Sequence, residues 1–141
     1  MRNSVLAIAF LLSFGLVGAA QQTTIHQVPI KTTPWASGQQ MYHQYCAACH
    51  GTNADGAGPA AAACTVKPAD LRMLAKTHGG KFPYDHFYTV LQFGTQPPTL
   101  AHGSVDMPIW LPLLSSLGEG EGLTEQRMHN IARYVASLQS K

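Results

Sequence analysis

Charged side chains are scarce in this chain, and those present are scattered. Lys and Arg together number nine and Asp and Glu seven among 141 residues, which gives a formal net charge of +2 at pH 7. Neither a basic stripe nor an acidic block occurs. Proteins that bind nucleic acids cluster Lys and Arg against the phosphates, so a nucleic-acid partner is not expected here.

Long hydrophobic runs are limited to one, at the N-terminus. Residues 5–20 carry no charge, follow Arg2 and end in three small residues. This run of 16 residues is shorter than the roughly 20 that cross a bilayer, and small residues suit signal peptidase. The pattern predicts a signal peptide over residues 1–20, cleaved near Ala20, and a periplasmic protein. The alternative is an uncleaved membrane anchor.

Alternating runs of β-branched residues bounded by turns are missing, so strands are not expected. Helical spacing of apolar residues, with capping residues and glycine stops, instead predicts four helices. They are Gly38–Tyr45 after Ser37, Asp70–Lys76, Tyr84–Phe93 and a last helix capped by Thr124. We therefore expect one all-α domain over residues 37–141, preceded by a loosely ordered leader over residues 21–36.

Cysteine is also rare, and two of the three cysteines belong to Cys46-Ala47-Ala48-Cys49-His50. Cysteines at this spacing form thioethers to the two vinyl groups of one porphyrin, and the next histidine reaches the iron. A thioredoxin-like dithiol would need a βαβ pattern around it, which is absent. A structural zinc held with Cys64 would use adjacent Cys49 and His50, which suit one tetrahedral ion poorly. The motif thus predicts one covalently attached haem c.

Around this motif the chain resembles the class I monohaem cytochromes c of the exported bacterial type. Gly38 and Tyr42 lie eight and four residues before Cys46, where that family has a glycine and an aromatic residue. The Gly-rich stretch 51–59 resembles the family's loop after the haem motif. Tyr134 in the last helix matches the aromatic residue that packs on the glycine of the first helix, which implies a contact between Tyr134 and Gly38. The resemblance implies an all-α domain of about four helices wrapped around one haem.

The resemblance also implies a second axial ligand, Met107, opposite His50. A thioether is a soft, neutral donor that favours Fe(II) and raises the reduction potential. Met107 lies in a long connection and is followed by Pro108, which stiffens the chain. The rival distal ligand is His102, which would give a lower potential.

Three further residues are expected at the haem by the same resemblance. The carbonyl of Pro59 would accept a hydrogen bond from the haem-ligating His50 and so fix its ring. Trp110 would donate its indole N–H to a haem propionate, or else pack in the core. Leu71 is a candidate for the haem wall. Cys64 departs from the family pattern, and we expect it to be a small buried hydrophobe.

A haem with both axial positions filled suits a soluble single-electron carrier rather than an enzyme. The expected partners are redox proteins of a respiratory chain, such as a membrane-bound oxidase or reductase or an exported dehydrogenase, and the carrier is expected to be a monomer. Two alternatives remain open. The chain is an electron-entry haem subunit of a larger oxidoreductase, or it is a haem enzyme or gas sensor with a labile distal site.

Overall fold

The computed structural model describes residues 28–95, 107–118 and 120–140, and in these residues the fold is built from helices without any strand. The α-helices are α1 (Gly38–Tyr45), α2 (Ala47–His50), α3 (Leu74–Thr77), α4 (Tyr84–Phe93), α5 (Trp110–Ser115) and α6 (Glu121–Ser137). Two short 3-10 helices cover Ala61–Ala63 and Leu71–Met73. The expected all-α class is confirmed. No described helix combines the length and the apolar character that crossing a bilayer requires.

Helices α1 and α6 cross at close range and form the centre of the core. The Ser37 hydroxyl accepts the backbone N–H of Gln40, which caps α1 as expected. A Cβ placed on Gly38 would overlap the backbone carbonyl of Asn130 and lie 3.1 Å from Cβ of Tyr134. The ring of Tyr134 also packs on that of Tyr42, with the centroids 5.4 Å apart. The predicted contact between Gly38 and Tyr134 is therefore confirmed.

Two helices were not expected, and one begins earlier than predicted. The short α2 contains the histidine of the cysteine motif, and α5 lies in the connection that the sequence left without structure. Pro112 is tolerated in α5 because it occupies the first turn, where the backbone N–H has no partner within the helix. Helix α6 starts at Glu121, and the Thr124 hydroxyl donates to the carbonyl of Gly120 instead of capping the helix.

The described part of the leader, residues 28–36, is hydrogen-bonded to the helices, and the sequence did not predict these contacts. Arg127 of α6 is 1% exposed and donates to the carbonyl of Thr33 at 2.8 Å. Asn130 donates to the carbonyl of Trp35 at 2.9 Å. The Tyr45 hydroxyl donates to the carbonyl of Lys31. These partners lie far apart in sequence, so local composition did not reveal them.

The end of the chain fixes the segment around the second 3-10 helix. Gln139 follows α6, and its side-chain amide donates to the carbonyl of Leu71 at 2.8 Å. The amide oxygen of the same side chain accepts the backbone N–H of Ala75 at 2.7 Å. Gln139 therefore holds this segment, which leads directly from Ala69, against the α1–α6 pair.

Candidate functional site

The cysteine motif forms one tight helical turn at the end of α1. Cys46 lies between α1 and α2 as the cap residue of both helices, and its carbonyl accepts the backbone N–H of His50 at 2.9 Å. Residues three and four apart share one side of a helix. Cys46, Cys49 and His50 are therefore on the same side of this turn, and all three are partly buried.

The histidine of the motif has a fixed tautomer. Nδ1 of His50 lies 3.0 Å from the carbonyl oxygen of Ala69. A carbonyl can only accept a hydrogen bond, so Nδ1 carries the proton and Nε2 keeps its lone pair. Burial lowers the pKa of His50, and the bond to Ala69 acts in the opposite direction more weakly. The neutral imidazole that a metal requires is thus favoured.

The acceptor of this hydrogen bond is Ala69, and the expectation of Pro59 is wrong. The loop after α2 folds back so that the backbone N–H of Gly58 donates to the carbonyl of Cys49 at 3.0 Å. A Cβ on Gly58 would be only 2.6 Å from the carbonyl oxygen of Ala47, so the loop can lie on α2 only with glycine there. This path leaves Pro59 exposed.

Ala69 reaches His50 because the chain beside it packs against the same loop. A Cβ on Gly56 would lie 3.2 Å from the carbonyl carbon of Ala69 and overlap the carbonyl oxygen of Pro68. The backbone N–H of Leu71 donates to the carbonyl of Ala54 at 2.8 Å. Two close approaches on either side of Ala69 thus aim its carbonyl at the imidazole.

Comparison with known families agrees with this geometry. The family model described as Cytochrome c matches residues 35–139, which is most of the chain. The chain belongs to the cytochrome c family. A search of curated protein sequences found no significant match. Proteins of this family carry covalently attached haem c, so haem c is the cofactor of this chain. The class of function of the family is haem-based electron transfer. The resemblance stated from the sequence is thereby confirmed.

The thiols of this cytochrome c are suited to haem attachment and not to the two competing interpretations. None of the three cysteines forms a disulfide. Burial, with a smaller contribution from the neighbouring Cys49, raises the pKa of Cys46 to about 12, so its thiol is protonated. No group of three or more His, Cys, Asp or Glu side chains in the described residues could hold a metal ion. This finding disfavours the zinc interpretation, and the helical surroundings disfavour a thioredoxin-like pair.

The other expected haem residues of the cytochrome surround one hydrophobic core. Met107, Trp110 and Leu71 are partly buried and pack against the same core cluster as Cys46. Met107 comes three residues before α5, which begins at Trp110. The rival ligand His102 lies outside the described residues, so the assignment of Met107 stays a prediction.

Trp110 contacts the side chain of Tyr45, with ring centroids 5.7 Å apart and planes tilted by 34°. This contact accounts for part of its burial, while its expected bond to a propionate stays a prediction. The third cysteine, Cys64, is partly buried, and its thiol lies 3.5 Å from the carbonyl oxygen of Ala60. Burial of this side chain agrees with the expected hydrophobic role.

These residues fit a c-type haem. His50 offers Nε2, Cys46 and Cys49 offer two thiols on the same turn, and Met107 offers a thioether beside an apolar core. The fit depends on one residue that the sequence did not single out, Ala69, which orients His50. A backbone carbonyl such as that of Ala69 has no side-chain signature, and only the glycines that allow its close approach are visible in the sequence.

Proposed function

We propose that this cytochrome c is a soluble single-electron carrier with haem c bound through Cys46 and Cys49 and with His50 and Met107 as axial ligands of its iron. The observation that carries the proposal is the bond from Nδ1 of His50 to the Ala69 carbonyl. It leaves Nε2 available on the same turn that presents both thiols. The chemistry that the haem supplies when bound is reversible one-electron reduction of its iron.

The residues of the chain would determine the ligation and the reduction potential. The Ala69 carbonyl holds the proton on Nδ1 of His50, fixes the plane of the imidazole and makes Nε2 a stronger donor. Met107 would contribute a neutral sulfur donor that favours the reduced state. Two protein ligands leave no vacant position for dioxygen or peroxide, which favours a carrier over an enzyme or a gas sensor.

The proposed partners are exported or membrane-bound redox proteins, such as an oxidase, a reductase or a dehydrogenase in the periplasm. Removal of residues 1–20 takes Arg2 away and leaves eight Lys and Arg against seven Asp and Glu, a formal net charge of +1, which makes long-range electrostatic steering weak. Partners would then recognise a small surface, and weak redox encounters typically bury less than about 1,200 Å² in total. We propose that the chain acts as a monomer after a signal peptide is removed near Ala20.

The variant Met107→Ala tests this proposal. Sulfur ligation of ferric haem gives a weak far-red charge-transfer band, so the wild-type protein should show that band and low-spin spectra in both oxidation states. Met107→Ala should abolish the band, lower the reduction potential and allow carbon monoxide to bind the reduced protein. The band depends on the sulfur–iron bond, the potential on the soft donor that favours Fe(II), and carbon monoxide binding on the position that the variant opens.

Two matched variants identify the ligand if Met107 is not it. Met73→Ala removes a partly buried methionine from the second 3-10 helix and should keep the band. His102→Ala removes the rival ligand and should also keep it. A band that survives in Met107→Ala would reject this ligand, and a wild-type protein that binds carbon monoxide rapidly would favour the enzyme or sensor interpretation.

A further inference from the structure

Tyr45, the last residue of α1, has its hydroxyl group fixed in the leader. The hydroxyl donates to the carbonyl of Lys31 at 2.7 Å. The hydroxyl oxygen of Thr33 lies 2.7 Å from the hydroxyl oxygen of Tyr45. Because Tyr45 donates its proton to Lys31, Thr33 is the donor in this second bond. The ring is therefore held at one end by the helix backbone and at the other by the leader.

The leader that holds Tyr45 is itself attached to the core. Ile30 packs against the core cluster, and Arg127 of α6 donates to the carbonyl of Thr33 at 2.8 Å. Arg127 is almost completely buried. The two residues that bond to the Tyr45 hydroxyl thus belong to a segment that is attached to α6, the longest of the described helices.

The ring of Tyr45 packs against the ring of Trp110, the first residue of α5. Only Pro108 and Ile109 separate Trp110 from Met107, and the pyrrolidine ring restricts the backbone of the first of these. A movement of the Met107 backbone away from the core would therefore shift Trp110 against Tyr45 or bend this short connection.

We propose that Tyr45 is a positioning residue that, through Trp110, keeps the thioether of Met107 in place on the distal side of the haem. This inference rests on the proposed ligation by Met107. Tyr45 joins the leader, α1 and the start of α5 immediately before the first cysteine of the haem motif. The leader thereby contributes to the stability of the distal ligand, although both proposed haem ligands, His50 and Met107, lie outside it.

Ferric protein is the state in which this role is measurable. A soft sulfur donor favours Fe(II), so its bond to Fe(III) is the weaker of the two and the easier to displace. Added imidazole competes for that position in the ferric protein, and its apparent affinity rises as the ligand-free conformation becomes more populated. A residue that only supports the fold would change the unfolding midpoint without changing this competition.

The experiment titrates imidazole into ferric holoprotein and follows loss of the far-red band. Tyr45→Phe keeps the ring against Trp110 and removes both hydroxyl bonds. Loss of one to two such bonds should raise the apparent imidazole affinity about threefold to tenfold. Thr33→Val removes only one of the bonds and should have a smaller effect in the same direction.

Asn130→Ala is the matched control. It removes the bond from α6 to the Trp35 carbonyl, which ties down the same leader without contacting Tyr45. We expect its imidazole affinity to equal that of the wild-type protein, even where its unfolding midpoint falls as far as that of Tyr45→Phe.

The outcomes separate this inference from the proposed function. A wild-type protein without the far-red band would overturn the ligation by Met107 and the inference together. A wild-type band combined with unchanged affinity in Tyr45→Phe would overturn the role of Tyr45 alone. An equal increase in Asn130→Ala would also overturn it, because the effect would then come from general loosening of the leader.

Discussion

Replacement of Gly38 by alanine tests the crossing of α1 and α6 with the smallest change available. The added Cβ would lie 2.6 Å from the carbonyl carbon of Asn130, whereas ordinary contacts begin at 3.4 Å. Since the near atoms belong to the α6 backbone, no side-chain rotation can relieve the overlap. The helices must separate by at least roughly 0.8 Å at this point, because the carbonyl oxygen of Asn130 is nearer still. A gap of about 0.5–1 Å already removes a quarter to a half of each affected dispersion contact.

The expected cost follows from what the crossing buries. Met41 and Tyr42 of α1 and Ile131 and Val135 of α6 are each at most 2% exposed. Overpacking typically costs about 1–3 kcal/mol, and the upper part of that range, about 2–3 kcal/mol, applies here because the near atoms are backbone. Alanine recovers at most about 1 kcal/mol through its helix propensity. We expect a net loss of about 1–2 kcal/mol, equivalent to roughly 4–8 °C in Tm per kcal/mol for a domain of about 100 residues.

The assay is denaturant unfolding of the holoprotein followed by far-UV circular dichroism, with Gly122→Ala as control. Gly122 lies in the first turn of α6, and a Cβ there would meet no atom within 4 Å. Its replacement should stabilise the protein by about 0.5–1 kcal/mol because glycine is unfavourable in helices. A Gly38→Ala midpoint equal to or above that of the wild-type protein would refute the close approach of the two helices.

Three further predictions concern the haem attachment, the chain start and a buried hydroxyl. Cys46→Ser and Cys49→Ser should each leave one thioether, which shifts the pyridine haemochrome band, while an unshifted band in either variant would reject that attachment. The intact mass of the exported protein should equal the chain from Gln21 plus one haem, and a mass that includes the first 20 residues would indicate an anchor. Tyr42→Phe should cost about 0.5–1.5 kcal/mol because it removes the 2.7 Å hydrogen bond from the Tyr42 hydroxyl to the buried Gly51 carbonyl, which keeps the backbone N–H of Ala54 as its other donor. Burial raises the pKa of Tyr42 above its ordinary 10.0, so this difference from wild type should be full below pH 10 and shrink above it, and a difference that grows with pH would contradict the reasoning.

The sequence alone determined the parts of this protein that depend on neighbours along the chain. Cys46 and Cys49 with the following histidine need only one turn of backbone to present their side chains together, so their spacing is sufficient to predict haem attachment. The first and last helices follow from the local period of their apolar residues. Their contact at Gly38 followed from the family resemblance, since a pattern within one helix does not name its partner.

Only the tertiary structure decided the hydrogen-bond acceptor of His50, the order of the leader and the presence of α5. The Ala69 carbonyl reaches His50 from 19 residues away, and Arg127 reaches Thr33 from 94 residues away. Backbone carbonyls are the same at every position, so the sequence does not show which one a donor will meet. That choice is made when close packing at the glycines and against α6 brings distant segments together, which no local pattern encodes.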